Sequence, residues 1–411
     1  GLCGHALGSP AHHLERLLRR AGVEGLELEL PEDSLLAEPV SDVVPGRPLF
    51  AKGKRPLFCS PGCLEEHERI FAPLRKRPLA VQQFALHAKK CDCIFYLLAL
   101  KLICWVLAEF ERTGDAAKAA APLRSLFARP YWDAVDAPED AKEVGAFRRR
   151  LQKDTERSRE LAEGALQAAG ASNLVREFLD PDGYAHLLGA LCCNAIAITY
   201  VSPVLQHILQ VDAMDNNRDR SEAVAALEPW IRALQEAGHC EEASDSDVGE
   251  GPGGAAGGAG EKQLSWEAAG GRLEFSTALF PAYRGYAVFP RLALINHSCA
   301  PSCGVEFTFS ATMLLFAQRE HSVVKGAELS ISYLDASLGV ECAATRDAWL
   351  KRRRLLTPYG FECECPRCLA GQAEPEAGRK LPKRGRKLRA AGEAAAGEAA
   401  AEPAAPRAKR K

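Results

Sequence analysis

Apolar residues recur at helical spacing from Val81 to Phe110, the repeat that gathers them on one face of a helix. Within that segment residues 94–108 (IFYLLALKLICWVLA) are apolar almost throughout. Lys101 interrupts the run, and it is shorter than the ~20 residues a bilayer span needs. A buried helix is therefore predicted. Ala146–Leu166 has the same period but is laced with charges, as an amphipathic surface helix is. Gly114-Asp115 and the region of Pro130 and Pro138 break the pattern, so residues 73–178 predict a helical unit. Asp180-Pro181-Asp182-Gly183 reads as a turn before the apolar stretch Leu187–Tyr200, and residues 218–238 read as another helix.

Downstream the period shortens. Residues 272–276, Gly285–Phe289, Val305–Phe309, Met313–Gln318 and Leu329–Tyr333 predict short strands. Lys325-Gly326-Ala327-Glu328 supplies a turn, and Arg346–Leu356 a basic helix. Residues 240–263 are Gly, Ala and acidic low complexity and cannot bury enough apolar surface to order themselves. Residues 371–411 are Ala, Glu, Lys and Arg with Pro and Gly and read as a disordered tail. The fold class is α+β.

The 411 residues are 47% hydrophobic and 26% charged with net charge −2, ordinary for a globular protein. No whole-protein field selects nucleic acid. The charge gathers in the tail, at Lys380–Lys387 and Arg407–Lys411, where it suits a polyanion, an import receptor or solvation alone. No aromatic residue interleaves there, so base stacking is not indicated. There are 15 cysteines and no visible secretory signal, which favours reduced thiols and metal ligation in the nucleus or cytoplasm over disulfides. The chain opens at Gly1 rather than Met and reads as a fragment or a processed form.

Cys363, Cys365 and Cys368 form a C-x-C-x-x-C run, one ligand short of the four that a tetrahedral zinc site takes. Cys299 is the first candidate for the missing place, and Cys303 on the same loop competes for it. Cys59 and Cys63 make a second candidate set with Cys3 and either His5 or His67. The alternative is that these cysteines merely pack. Cys91-Asp92-Cys93 lies inside a helical pattern, where residues two apart diverge, and is read as packing.

Asn296-His297-Ser298-Cys299, then Ser332-Tyr333-Leu334-Asp335, then Tyr359-Gly360-Phe361-Glu362-Cys363-Glu364-Cys365 and Cys368 follow one another in order. Together they resemble the C-terminal half of a SET domain with its post-SET zinc motif, in the variety of the SET-and-MYND family. The resemblance implies a SET-type β-clip core at 179–336, interrupted at about 240–263. It also implies a degenerate MYND-like zinc module at 1–72, a helical insert at 73–178, a post-SET segment at 337–370 and a tail at 371–411.

The family consists of S-adenosylmethionine-dependent protein-lysine N-methyltransferases. By resemblance, Tyr333 is the catalytic residue at the end of a substrate channel shared with Phe361. Asn194, Asn296, His297, Tyr359 and Phe361 contact the cofactor, and Cys299, Cys363, Cys365 and Cys368 hold Zn2+. The partner is a protein presenting a lysine, and no membrane is involved. The family's opening G-x-G strand has no clear copy, and Gly46–Ala51 only echoes its end. The competing expectation is therefore a catalytically inactive SET-like zinc scaffold for protein–protein interaction.

Overall fold

The computed structural model describes residues 7, 9–23, 43–47, 56–138, 140–167, 173–215, 218–237, 261–307, 313–318, 323–334 and 345–373. The elements begin with helix α1 (Pro10–Arg20), capped by Ser9, and the strand pair β1 (Val44–Pro45) and β2 (Leu57–Phe58). A helical run follows: α2 (Pro61–Ile70), α3 (Ala72–Arg75), α4 (Pro78–Lys90), α5 (Ile94–Thr113), α6 (Ala116–Arg124), α7 (Tyr131–Ala134), α8 (Ala141–Leu166), α9 (Asn173–Leu179) and α10 (Pro181–Asn194). Gly114, at φ 68°, closes α5 in the left-handed conformation that glycine adopts freely. The next residue, Asp115, caps α6.

One expectation is corrected here. Val81–Phe110 is two helices, and Cys91-Asp92-Cys93 is the bend between them. Asp92 takes φ 49°, and the Cys93 N–H bonds back to the Ala88 carbonyl at 3.1 Å. Neither Gly nor Pro marks the break, so periodicity runs through it.

The predicted turn at Asp180–Gly183 is the start of α10. The Asp180 carboxylate accepts from the Asp182 and Gly183 N–H groups at 3.2 and 3.4 Å, as an N-cap does. A Cβ on Gly189 would lie 1.7 Å from the Arg129 carbonyl oxygen, so α10 packs directly on the backbone of the 129–130 loop. Gly189→Ala is expected to destabilise the protein by about 1–3 kcal/mol or more through overpacking. Urea unfolding checks this, and an unchanged midpoint contradicts so close an approach.

Helices α2–α10 enclose one core around Phe84, Tyr96, Ile103, Leu166, Tyr184 and Leu188. Next come β3 (Ala195–Tyr200), α11 (Pro203–Ala213), α12 (Arg218–Glu236), β4 (Gln263–Ala268) and β5 (Gly271–Ser276). A second core joins α11, α12, β4 and β5 to Leu14 and Leu18 of α1. α1 thus packs with chain some two hundred residues downstream. The N-H of Gly270, in the β4–β5 turn, is held by the buried Glu228 carboxylate of α12 at 3.1 Å. The first strand of this hairpin was not among those predicted. Its alternating Leu264 and Trp266 begin where the low-complexity stretch ends.

The remaining elements are β6 (Tyr283–Val288), β7 (Asn296–His297), β8 (Cys303–Phe307), β9 (Met313–Ala317), β10 (Ser330–Ile331), α13 (Arg346–Leu356) and α14 (Pro366–Ala373). Among the described residues the strands form five two-stranded sheets, with no barrel. β3 pairs with β6, β4 with β5, β8 with β9 and β1 with β2, all antiparallel. β7 and β10 run parallel, with Ser330 beside Asn296 and Ile331 beside His297. The architecture is mixed helix and small sheets. The predicted strand Leu329–Tyr333 is only Ser330–Ile331, and residues 308–312 between β8 and β9 lie outside the described set. So do most of the 240–263 stretch and all of the tail beyond 373. No described helix is long and apolar enough to cross a membrane.

Candidate active site and metal centre

The parallel pair β7–β10 sets the site. It lays the 295–299 segment beside 330–334, and the Ser298 N–H donates to the Ile331 carbonyl at 3.0 Å. From the other side α13, capped by Thr345, leads into the turn Thr357–Tyr359. Gly360 then reverses the chain at φ 75°. A side chain there would be strained and would also meet Arg129 and Phe127 at 3.3 and 3.4 Å. Arg129 donates to the Thr357 and Pro358 carbonyls at 3.3 and 3.1 Å, pinning this turn to the helical region.

These two segments bring Cys299, Cys363, Cys365 and Cys368 together, with all sulfurs within 4.8 Å of one another. Cys299 and Cys368 are 1% and 3% exposed. Cys303, the competing fourth ligand, packs instead against Leu292 and Ile331. The Cys299 thiol points at Cys363 at 3.8 Å, and the Cys368 thiol at Cys299 at 3.5 Å. Hydrogen bonding to Cys363, then burial, pushes the Cys299 thiol far up. The same bond pulls Cys363 down. Burial pushes Cys368 up against the opposing pull of its bonds with Cys299 and Arg352. Four such thiols cannot all ionise in one buried spot without a cation. The donor set has the chemistry of a closed structural zinc site.

Arg352 was not singled out from the sequence, yet it is fully buried. The signal was present: Trp349, Arg352 and Leu356 share one face of α13, and Trp349 and Leu356 pack with Cys299 and Cys368. Arg367 adds a hydrogen bond to the Cys299 carbonyl. Both cations sit where a metal bound by four thiolates would leave excess negative charge.

Next to the sulfurs lies an aromatic group. The Tyr333 ring is 5.0 Å from Tyr359, 6.2 Å from Phe361 and 5.2 Å from the His297 imidazole, centroid to centroid. Burial raises the pKa of both tyrosines, so their hydroxyls stay neutral. The Tyr333 hydroxyl donates to the Ile295 carbonyl at 2.6 Å. These tyrosines form part of a small cleft lined also by Cys193, Asn194, Ile196, Leu292, Val305 and Ile331. Cys193 had no predicted role, and burial pushes its thiol up to about 11.

The other expected cofactor residues make contacts within the fold. The Asn194 amide lines the cleft but donates to the Phe127 and Ala190 carbonyls, both at 2.7 Å. The Asn296 amide donates to Glu328 at 2.7 Å. The His297 Nδ1 accepts from the Tyr333 N–H at 2.9 Å, and its Nε2 lies 3.1 Å from the Cys299 sulfur. Phe361, expected to share the channel, is 36% exposed and is not among the residues that line the cleft.

For the second candidate metal set, Cys3 and His5 lie outside the described residues. Cys59 and Cys63 meet at 3.4 Å. The His67 ring sits between Phe58 and Phe71 at 4.8 and 4.7 Å, and its burial lowers its basicity. Among the described residues, only the four-sulfur cluster gathers three or more candidate ligands.

A four-thiol cluster thus sits beside an aromatic group and a small cleft, on a mixed helix and small-sheet frame. The chain's homologues are lysine methyltransferases of the SET-and-MYND type. The histone-lysine N-methyltransferase ATXR2 of Arabidopsis thaliana is 24% identical over 366 positions, 81% of this chain and 65% of that protein. The histone-lysine N-methyltransferase SMYD3 of Mus musculus is 38% identical over 84 positions, 20% of this chain and 17% of the relative. The protein-lysine N-trimethyltransferase SMYD5 of Homo sapiens is 32% identical over 103 positions, 25% and 23% of the two chains. The chain thus spans less than two thirds of the length of these relatives. No family model matches the chain, and no solved structure matches it.

Proposed function

We propose that the chain is the catalytic part of an S-adenosylmethionine-dependent protein-lysine N-methyltransferase. Its core would be a SET-type β-clip, and its substrate a histone or other protein in the nucleus or cytoplasm. The observation that carries this reading is the junction itself: Cys299, Cys363, Cys365 and Cys368 would hold Zn2+, and that grip fixes Tyr333 and Tyr359 at one cleft with Phe361 against Tyr333.

When bound, S-adenosylmethionine would supply a methyl group on a sulfonium: the amine lone pair would bond to the methyl carbon as its bond to sulfur breaks, and the neutral thioether would leave. The work of the chain is to present that lone pair. A lysine has a pKa of about 10.4 in water. Ile196, Leu292, Val305 and Ile331 form apolar walls that disfavour its charged form and shed its proton to solvent. Tyr333 directs its O–H in a hydrogen bond to the Ile295 carbonyl, which leaves the lone pairs of its oxygen to accept from the amine and aim it. Alignment of this kind supplies much of the rate in a displacement.

The second reading is a non-catalytic zinc scaffold. It is favoured by the bonds that the Asn194 and Asn296 amides and both His297 nitrogens already make inside the fold. Calorimetric titration of the zinc-loaded chain with S-adenosylmethionine separates the two. The enzyme reading expects saturable binding between about 1 μM and 1 mM, where enzymes hold their substrates. Undetectable binding leaves the scaffold alone. Contact of the basic tail with a polyanion or an import receptor remains a reading of the sequence.

A further inference from the structure

The residues around His297 form a closed loop of contacts. Tyr333 is gripped at both ends by one three-residue segment: its hydroxyl bonds the Ile295 carbonyl and its N–H bonds His297 Nδ1. A ring nitrogen that accepts carries no proton, so in the neutral imidazole the proton sits on Nε2. That N–H faces the Cys299 sulfur at 3.1 Å. The ring therefore spans from a cluster sulfur to the backbone of the strand end that bears Tyr333. Neither nitrogen is left over for a ligand in the cleft.

We propose that His297 is a positioning residue that couples metal loading of the four sulfurs to the placement of Tyr333. The inference rests on the metal and cleft reading given above and deepens it, by giving that metal a regulatory hold on the site. A thiolate held by a metal is a charged acceptor fixed in space, and a hydrogen bond to such an acceptor is stronger than one to a free thiol. Outer partners of this kind orient what surrounds a metal. With metal bound, the Nε2–H is anchored, the ring is fixed, and Nδ1 holds the Tyr333 backbone. Without it the Cys299 sulfur is a neutral thiol and a weaker acceptor, so the anchor weakens and the hold on Tyr333 loosens although no metal touches the cleft.

Hydrogen exchange of the full chain, followed by mass spectrometry at the segment carrying Tyr333, tests this with and without a zinc chelator. The Tyr333 amide is expected to exchange roughly five- to tenfold faster once zinc is removed, the factor that one hydrogen bond is worth. His297→Gln keeps a donor near the Nε2 position and loses the Nδ1 acceptor. It should retain zinc yet exchange fast at Tyr333 in the loaded state. His297→Asn keeps the acceptor and loses the reach to sulfur, so Tyr333 protection should no longer follow zinc. Should either variant fail to fold, the wild-type comparison decides alone. Stoichiometric zinc with Tyr333 exchange indifferent to its removal overturns the coupling and leaves the metal reading intact. A purified chain without zinc at the four sulfurs overturns the metal reading and this inference with it.

Discussion

Replacing Cys363 by Ser is expected to empty the metal site and reduce methyl transfer to background. Structural zinc contributes on the order of 10 kcal/mol to the folding of small sulfur-ligated modules. Here that energy stitches the Gly360–Cys368 segment to the Cys299 loop, two pieces that otherwise share little core beyond Leu334 and Leu356. The loss should be local. The two large cores around Phe84 and Trp230 contain none of the four sulfurs, so helical circular dichroism should survive while residues 345–373 become cleavable by protease. Cys303→Ala is the control, since Cys303 packs away from the cluster and should keep zinc and activity. Zinc content measured on both variants checks the claim, and an unchanged zinc content in Cys363→Ser would contradict it.

Tyr333→Phe is expected to lower the rate of methyl transfer about hundred- to thousandfold, the usual loss when one preorganised polar group is removed from a reacting centre. The ring keeps its contacts with Tyr359 and Phe361. Only the oxygen and its bond to Ile295 go, so stability should fall by only about 1 kcal/mol and S-adenosylmethionine affinity should hold. The pH profile gives a second check. Burial raises the Tyr333 pKa, so its neutral hydroxyl persists as pH rises. The rate should climb as the substrate amine loses its proton, with no falling limb from Tyr333 below about pH 10. Single-turnover kinetics from pH 7 to about pH 10 read both effects. Full activity in Tyr333→Phe removes the role assigned to this residue.

The legible parts of the site were those whose chemistry constrains spacing. Three cysteines in C-x-C-x-x-C leave a tetrahedral ion one ligand short, which sends the reader to the 299–303 loop. Only the fold decides between Cys299 and Cys303, because both lie on that loop and β8 turns Cys303 into a separate apolar pocket. The long apolar run at 94–108 and the charge-laced 146–166 were legible as helices because period alone decides them. The break at Asp92 was not, since its left-handed turn uses an ordinary residue. Nor was the packing of α1 with α11 and α12, which depends on contacts far apart in sequence. Arg352 was hidden in a helix whose charges look solvated when counted without their faces. The bonds of Asn194 to Phe127 and Ala190 depend on where the 127–130 loop lands, and no local pattern carries that.

The most direct test of the central claim is X-ray absorption at the zinc edge of the purified chain. The account predicts zinc at this cluster with four sulfur neighbours at about 2.3 Å. A first shell containing nitrogen or oxygen, or a protein that binds no zinc, would contradict it.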